Sequence, residues 1–577
     1  MPSLTSLALP LLGYAGFVAS AKYDTRFGDT WDDDNWTITT TKLDQGHYQS
    51  RSSLSNGYLG INLAAVGPFF EIESPVAGDD IYGWPQFDRR QSFATIAGFY
   101  DSQGPTNGTN FDWLYQYGGE SVISGIPHWS GLAVQVNGQT LDAGVDASQI
   151  TAFNSTFDYG AGLRTWRYVW TPTGAPEIEV EYSMFVHKLY VNQAAVQVKL
   201  TASEDVNATV VDILEGDCAV RTTFVDKAFE KDTATIWSAV SPLGLPDITA
   251  YVYSTLNVYG SGDSASRAPF SDVTYIGANA SSIAQSWQIK LNAGQTATVV
   301  KTVGAASSDA FANPQAVARN ASLVGAETGF WNMLQSHKVE WASILTDDSV
   351  DDYSLPNGSL PNDANIIELQ ITSVTNQYYL LQETVGTNAI AAANNNAHLD
   401  VNSIPVCGLG SACYAGLIFW DAEVWMAPGI VISHPQAALQ IAKYRVEKFP
   451  QAQENIKTAY QGSQNRTGQF STNGAIFPWT SARYGNCTGT GPCWDYEYHL
   501  NGDIGLEMYN YFAASGDVEY FKDQLFPIYD AVAQMYSDLV TYNESNGMYY
   551  LTNATDPVRS PPSVIRVSYT DFNRTNG

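Results

Sequence analysis

Two short segments of the chain place carboxylates beside aromatic rings. Residues 418–426 read IFWDAEVWM, and residues 493–504 read CWDYEYHLNGDI. Cleavage of a glycosidic bond needs a carboxylic acid that protonates the leaving oxygen and a carboxylate that acts at the anomeric carbon or its water. Aromatic side chains with a polar edge suit the faces of sugar rings. The two segments therefore predict a carbohydrate site where they meet.

Glu497 is the candidate acid of the second segment. Trp494, Tyr496 and Tyr498 flank it, and desolvation by such rings raises the pKa of a carboxyl group, as an acid catalyst requires. The alternative is a carboxylate that stabilises the N-terminus of a helix beginning near Asp503. The residues alone leave both interpretations open.

Helices are predicted to carry both segments. After about residue 327, apolar residues recur at spacings of three and four along 367–381, 439–446, 504–511 and 528–539. Pro435 is typical of a helix start, and Gly516-Asp517 of a stop followed by a restart. The two segments would then meet in the loops at the ends of these helices.

Strands are predicted for the first half, from about residue 22 to 308. Leu132, Val134 and Val136 alternate and lead into Asn137-Gly138, a type I′ hairpin signal. The stretch 177–182 alternates glutamate with apolar residues, which indicates a strand with one solvent face. Many short strands of this kind predict a large antiparallel sandwich. Residues 309–345 are predicted to form a helical connector.

Composition excludes several protein classes. Of the 577 residues, 44% are hydrophobic and 15% charged, which excludes an intrinsically disordered chain. The formal net charge of −30 would repel a phosphate polyanion, and no basic stripe opposes it, so nucleic acid is excluded as a partner. The 13% aromatic content suits sugar binding and also ordinary core packing.

The N-terminus and the sequons indicate export. Residues 1–21 read as a signal peptide cleaved after Ala21, with a buried N-terminal helix as the alternative. No later stretch has the ~20 unbroken apolar residues of a membrane span. The Asn-x-Ser/Thr glycosylation sequons lie at Asn35, Asn107, Asn154, Asn207, Asn279, Asn320, Asn357, Asn465, Asn486, Asn543, Asn553 and Asn573.

The cysteines are consistent with an oxidising compartment. Cys407 with Cys413, and Cys487 with Cys493, would close two short loops as disulfides. Cys218 is left over as a thiol. Reduced core thiols are the alternative for each pair, and a metal site is disfavoured because no further ligand stands at suitable spacing.

The ordered motifs resemble those of glycoside hydrolase family 65. They are Phe419-Trp420-Asp421-x-Glu423 with Met426-x-Pro428, Phe477-Pro478-Trp479, Glu497-x-His499-x-Asn501-Gly502-x-Ile504, and Asn56-Gly57-Tyr58-Leu59-Gly60 near the start. The resemblance implies a multidomain β + α fold. A β-super-sandwich (22–308), a helical linker (309–345) and an (α/α)₆ barrel (346–577) follow the signal peptide (1–21).

The resemblance also implies the chemistry. Glu497 matches the family's general acid, and Trp420 and Asp421 match the residues that hold the nonreducing glucose. Export and glycosylation make the chain most similar to the fungal acid trehalases. These hydrolyse α,α-trehalose to glucose with inversion, outside the cell, in the cell wall or in the vacuole. No cofactor, metal, membrane span or nucleic-acid partner is expected, and the partner is a small disaccharide.

The family's general base comes from a later barrel helix than any in this sequence. We therefore expect the base beyond residue 577 and only about the first half of the barrel here, as in a C-terminally truncated chain. Asp495 and Glu507 are the alternative bases within the sequence. The competing functions are a family 65 disaccharide phosphorylase and a noncatalytic sugar-binding glycoprotein.

Overall fold

The computed structural model describes residues 22–47, 51–73, 90–102, 121–260, 266–272, 276–457, 470–488, 497–554 and 563–568. The signal-peptide prediction at residues 1–21 lies outside this part of the chain. Up to residue 307 the regular elements are mainly strands, and from residue 314 to 539 they are helices. The predicted fold class, β followed by α, is confirmed.

The strands in chain order are β1 (Lys22–Asp24), β2 (Thr30–Asp32), β3 (Thr37–Thr40), β4 (Ser52–Ser55), β5 (Leu59–Leu63), β6 (Ala94–Ile96), β7 (Leu132–Val136), β8 (Gln139–Leu141), β9 (Ile150–Asp158), β10 (Leu163–Trp170), β11 (Ile178–Val186), β12 (Gln193–Ala202), β13 (Val206–Leu214), β14 (Thr222–Glu230), β15 (Thr235–Pro242), β16 (Ala250–Tyr259), β17 (Arg267–Phe270), β18 (Ile283–Leu291) and β19 (Thr296–Ser307).

Antiparallel pairing joins these strands into three sheets. The largest has eleven strands in the order β1-β2-β3-β9-β10-β11-β12-β19-β16-β15-β14, and the second has five in the order β17-β18-β13-β7-β8. The third is β4-β5-β6. A buried ion pair joins the two larger sheets, since Lys301 Nζ on β19 lies 2.7 Å from Asp212 Oδ1 on β13. The apolar faces of both sheets form one core.

Local sequence explains individual strands. Asn137 and Gly138 both have positive φ, 50° and 74°, which gives the predicted turn between β7 and β8. On β11 the apolar residues at 178, 180 and 182 are buried. Glu181, on the opposite face, pairs with Arg167 and Lys199.

The helices in chain order are α1 (Pro314–Thr328), α2 (Phe330–Ile344), α3 (Ala364–Gln382), α4 (Thr387–Ala392), α5 (Ala427–Ile430), α6 (Pro435–Asn455), α7 (His499–Ser515), α8 (Val518–Tyr520) and α9 (Phe526–Leu539). Two π-helical turns, Ala422–Met426 and Phe521–Leu525, lead into α5 and α9.

The predicted apolar stripes lie on α3, α6, α7 and α9. On α9 the apolar residues at 528, 532, 535 and 539 are all buried. Gly516, with φ 67°, ends α7, and Asp517 caps α8. No helix in the described part of the chain is both long and apolar enough to span a bilayer.

A small sheet after α9 was not anticipated. Its strands are β20 (Thr541–Asn543), β21 (Met548–Ala554) and β22 (Ser563–Ser568), paired in that order. The sequence SVIRVS of β22 is rich in β-branched residues, as strands commonly are. The sequence analysis assigned this stretch to the helical region as a whole.

Candidate active site

The loop before the first motif is fastened at several points. Cys407 and Cys413, the first predicted pair, are joined by a disulfide. A Cβ on Gly60 of β5 would lie 2.4 Å from the Leu409 Cβ, so only glycine allows this close approach. Tyr100 Oη donates to the Gly416 carbonyl at 2.6 Å. The strand region thus holds the loop that precedes the first motif.

The remaining cysteines are Cys218, Cys487 and Cys493. Cys487 is disulfide-bonded, and Cys493 lies outside the described residues. Cys218 is a buried thiol whose sulfur accepts a hydrogen bond from the Ala94 amide.

Trp420 and Asp421 stand at the start of a π-helical turn. The backbone of Ile418 bridges to Ser481, and the turn Ala422–Met426 begins immediately after Asp421. Such turns often occur at functional sites. Asp421 is partly buried, and this burial raises the pKa of its carboxyl group. The Trp420 ring is partly buried, while Trp425 on the same turn is 65% exposed.

Glu497 is held by a histidine two residues further on. His499 Nε2 lies 3.1 Å from Glu497 Oε2, and His499 Nδ1 lies 2.7 Å from Asp503 Oδ2. Burial opposes the imidazolium charge, but the hydrogen bonds to Asp503 and Glu497 outweigh it and raise the pKa of His499 to about 9. The imidazolium therefore bridges the carboxyl groups of Glu497 and Asp503. Helix α7 begins at His499, one turn earlier than the sequence analysis placed it.

The two motifs meet through the Trp420 and His499 rings. Their centroids are 5.2 Å apart in an edge-to-face arrangement. Since His499 is hydrogen-bonded to Glu497, the indole, the imidazolium and the carboxylate form one continuous group. The aromatic flank predicted for Glu497 is only partly described: Trp494 and Tyr496 lie outside the described residues, as does Asp495. Tyr498 is buried.

The Phe477-Pro478-Trp479 motif packs between the other two motifs. Asn501 Oδ1 accepts a hydrogen bond from the Phe477 amide at 2.8 Å, which ties this motif to α7. The Trp479 ring contacts the Phe419 ring edge to face at 5.2 Å. All three motifs that carried the sequence resemblance in this half of the chain therefore contact one another.

The sequence suggested no role for Glu423 or Arg445, and for Glu507 only that of an alternative base. Glu423, Arg445 and Glu507 are all buried, and the Arg445 Nε lies 2.6 Å from Glu423 Oε1. His499, Asp503 and Glu507 recur every four residues, a spacing that places them on one helix face. That spacing is visible in the amino-acid sequence alone. Arg445 gave no comparable signal, because it sits within a mainly apolar helix face.

Glu507 is unsuited to the role of base. It is 1% exposed, and burial together with the nearby Glu423 carboxylate raises its pKa well above the usual range despite Arg445. A carboxyl group enclosed in this way has no access to the water that a base would activate. The burial of Glu507 therefore counts against it as the alternative base. No group of three or more metal-ligating side chains occurs among the described residues.

The predicted glycosylation sequons differ in exposure. Asn486 is 8% exposed and lies within the folded structure, and Asn154 and Asn279 are partly buried. The side chains of Asn107, Asn465, Asn553 and Asn573 are outside the described part. The exposed sequons are Asn35, Asn207, Asn320, Asn357 and Asn543.

A β-sandwich followed by helices, with a carboxylate and aromatic rings gathered at the helix ends, defines a carbohydrate-active enzyme. The family profiles agree: "Glycosyl hydrolase family 65, N-terminal domain" matches residues 38–344, and the "central catalytic domain" of the same family matches residues 388–572. The chain belongs to glycosyl hydrolase family 65, which confirms the resemblance found in its motifs.

Several relatives match over almost the whole chain. An acid trehalase of Emericella nidulans is 52% identical over 92% of this chain, and a cell wall acid trehalase of Arthroderma benhamiae is 50% identical over 93%. The chain spans about half the length of these relatives, 50% of each. A solved protein assigned as a kojibiose phosphorylase from the human microbiome aligns with a TM-score of 0.66, at 14% identity, over 90% of this chain and 62% of its own. This last likeness concerns the fold alone.

Proposed function

We propose that this protein hydrolyses α,α-trehalose to glucose with inversion at the anomeric carbon. Two relatives named acid trehalases are at least 50% identical to it. The observation that carries the proposal is the contact between the Trp420 indole and His499, which binds Glu497. It puts a sugar platform beside a carboxyl group that can donate a proton.

Each motif residue has a role in this proposal. Glu497 protonates the glycosidic oxygen. Because His499 binds Glu497 Oε2, the transferable proton is expected on Oε1. Asp421 accepts hydrogen bonds from hydroxyl groups of the nonreducing glucose, and the Trp420 indole packs on that sugar. The carboxylate that activates water is not among the residues assigned here, since Glu507 is enclosed.

The proposal extends to location and organisation. Several relatives are named cell wall, periplasmic or secreted acid trehalases. We propose export of this chain after removal of residues 1–21, with glycans on exposed sequons. We further propose a β-sandwich domain at 22–308, a linker at 309–345 and a catalytic helical domain from 346 onwards.

Product analysis tests the function. The longest product of the gene is incubated with α,α-trehalose, with and without phosphate, and the first products are followed by proton NMR. Inverting hydrolysis gives equal α- and β-glucose without phosphate. Glucose phosphate formed only with phosphate would instead identify a phosphorylase. Binding without any product would identify a sugar-binding protein.

A matched pair of variants tests the site. Trp420→Ala should abolish measurable binding of trehalose, because the sugar platform is lost. Trp331→Ala removes an indole that is 58% exposed to solvent on helix α2, and should leave binding unchanged. Equal effects of the two variants would contradict the assignment of Trp420.

A further inference from the structure

A cluster of buried charged groups lies directly behind the Trp420-Asp421 turn. Glu423 belongs to the π-helical turn, Arg445 to α6 and Glu507 to α7, and their exposures are 2%, 0% and 1%. The Arg445 Nε donates to Glu423 Oε1 at 2.6 Å. The guanidinium also lies 5.7 Å from the centre of the Phe477 ring. The cluster therefore joins three helical elements and the Phe477 segment.

The cluster has more hydrogen-bonding capacity than its protein contacts use. The described part of the chain offers no hydrogen-bond partner to five of its buried atoms: Glu423 Oε2, both terminal nitrogens of Arg445 and both carboxyl oxygens of Glu507. Leaving such an atom without a partner is costly, because it has lost its hydrogen bonds to water. Buried polar groups of this kind are commonly bridged by ordered water. The Glu507 proton makes that side chain both a donor and an acceptor, so it can join such a network.

The charges of the cluster balance. Burial raises the pKa of Glu423, while the adjacent Arg445 lowers it, and the pair forms a close ion pair. Burial and the nearby Glu423 raise the pKa of Glu507, which favours its neutral form. One cation thus faces one anion and one neutral acid. Removing either member of a buried pair leaves an uncompensated charge, which is far more costly than losing a surface pair.

We infer that Glu423, Arg445 and Glu507, with ordered water between them, form a positioning unit that fixes the Trp420-Asp421 turn relative to the Glu497 end of α7. This inference rests on the proposed function for its kinetic consequences and on the cluster alone for its structural ones. The unit touches no substrate. It acts by keeping the turn and α7, whose first turn carries His499, in one arrangement. Displacements of about 1 Å in such a site cost ~10²-fold in rate.

The kinetic test compares variants at the cluster with one elsewhere. Glu423→Gln and Arg445→Met should lower kcat/KM for trehalose by roughly 10–100-fold, through a higher KM and a lower kcat, because sugar contacts are disturbed in the ground and transition states alike. Arg445→Lys keeps the charge and should recover part of the loss. Lys301→Met breaks the buried pair with Asp212 in the sandwich, and should reduce thermal stability without changing KM or kcat of the folded enzyme.

Two readouts do not depend on the reaction. Hydrogen–deuterium exchange of the amides in residues 419–426 should be at least tenfold faster in Glu423→Gln than in the wild type and unchanged in Lys301→Met. A high-resolution structure should show water bound by Arg445 and Glu507. If the wild type fails to cleave trehalose, the proposed function is refuted. The exchange rates and the bound water then still test the positioning unit. Unchanged exchange, or kinetics that match Lys301→Met, would overturn the positioning unit.

Discussion

Replacing His499 with glutamine should remove a pH-dependent contribution to stability. The pKa of His499 is about 9 in the folded chain against 6.5 for an ordinary histidine, because its hydrogen bonds to Asp503 and Glu497 outweigh the opposing effect of burial. A pKa difference of this size between the folded and unfolded chains corresponds to a contribution of about 3 kcal/mol to the free energy of unfolding. Its side chain is only 16% exposed, so solvent screening reduces this contribution little.

The sign follows from the direction of the shift. A pKa raised on folding stabilises the folded chain fully below the unfolded value of 6.5, and this stabilisation is lost as the pH rises through about 9. Glutamine cannot take up the proton. The wild type should therefore have a higher free energy of unfolding than His499→Gln at low pH. The difference between the two proteins should be about 3 kcal/mol larger at pH 5.5 than at pH 10.

Two measurements check this reasoning. Urea unfolding of both proteins at pH 5.5, 7.5 and 10 gives the difference in free energy. Mass spectrometry of deuterium exchange at the imidazole C2 position gives the titration midpoint of each histidine in the wild type, expected near pH 9 for His499. His128 is an internal control, because burial lowers its pKa to about 3. A midpoint for His499 at or below 6.5, or a stability gap independent of pH, would refute the bridging imidazolium.

Three further predictions concern the site and its modifications. Glu497→Gln should lower turnover of trehalose by roughly 10²–10⁴-fold with binding retained, whereas Asp421→Asn should raise KM and lower kcat together; steady-state kinetics and calorimetric binding distinguish the two. Alkylation of the nonreduced, denatured protein should label a single thiol, Cys218, and mass mapping that finds three would contradict the second disulfide. Glycosidase treatment in ¹⁸O water should mark the exposed Asn357 and leave the buried Asn486 unmarked, with the opposite pattern contradicting the exposures.

Local sequence patterns predicted those turns and helices that the spacing of residues alone defines. The Asn137-Gly138 hairpin follows from two adjacent residues that tolerate positive φ, and the stripe on α9 follows from period 3.6. The sheet after α9 was missed because its strands are short, three, seven and six residues, and the stability of such strands depends on their cross-strand neighbours. Strand preference depends on such neighbours more than helix preference does.

The site was predicted less completely, for physical reasons. The motifs identified Trp420, Asp421 and Glu497, but not the charges that hold them. The role of His499 depends on where α7 starts, which the sequence placed one turn too late. Arg445 and Glu507 were overlooked or misread because the burial of a charged side chain depends on packing between elements, and periodicity does not report it.

The sandwich has a direct part in this site, because it anchors both motif-bearing segments. The Ile123 amide donates to the Ala415 carbonyl, just before Trp420, at 3.0 Å. The Ser121 amide, two residues before Ile123, donates a hydrogen bond to Thr488 Oγ1 at 2.7 Å. The Thr488 hydroxyl group in turn donates to the Ser121 carbonyl at 2.9 Å. Residues 121–123 thus contact the chain five residues before Trp420 and nine residues before Glu497.

Arg483 makes a second set of connections between the same regions. Its guanidinium donates to the Tyr100 and Gly98 carbonyls at 3.1 and 3.2 Å and pairs with Asp309 at the start of the linker. A helical domain alone would have to hold the Trp420 and Glu497 loops by their own contacts, and loops without such support are mobile. Catalysis needs those groups held within about 0.5 Å. The β-sandwich therefore contributes to the geometry of the site, although no residue of the proposed catalytic machinery lies in it.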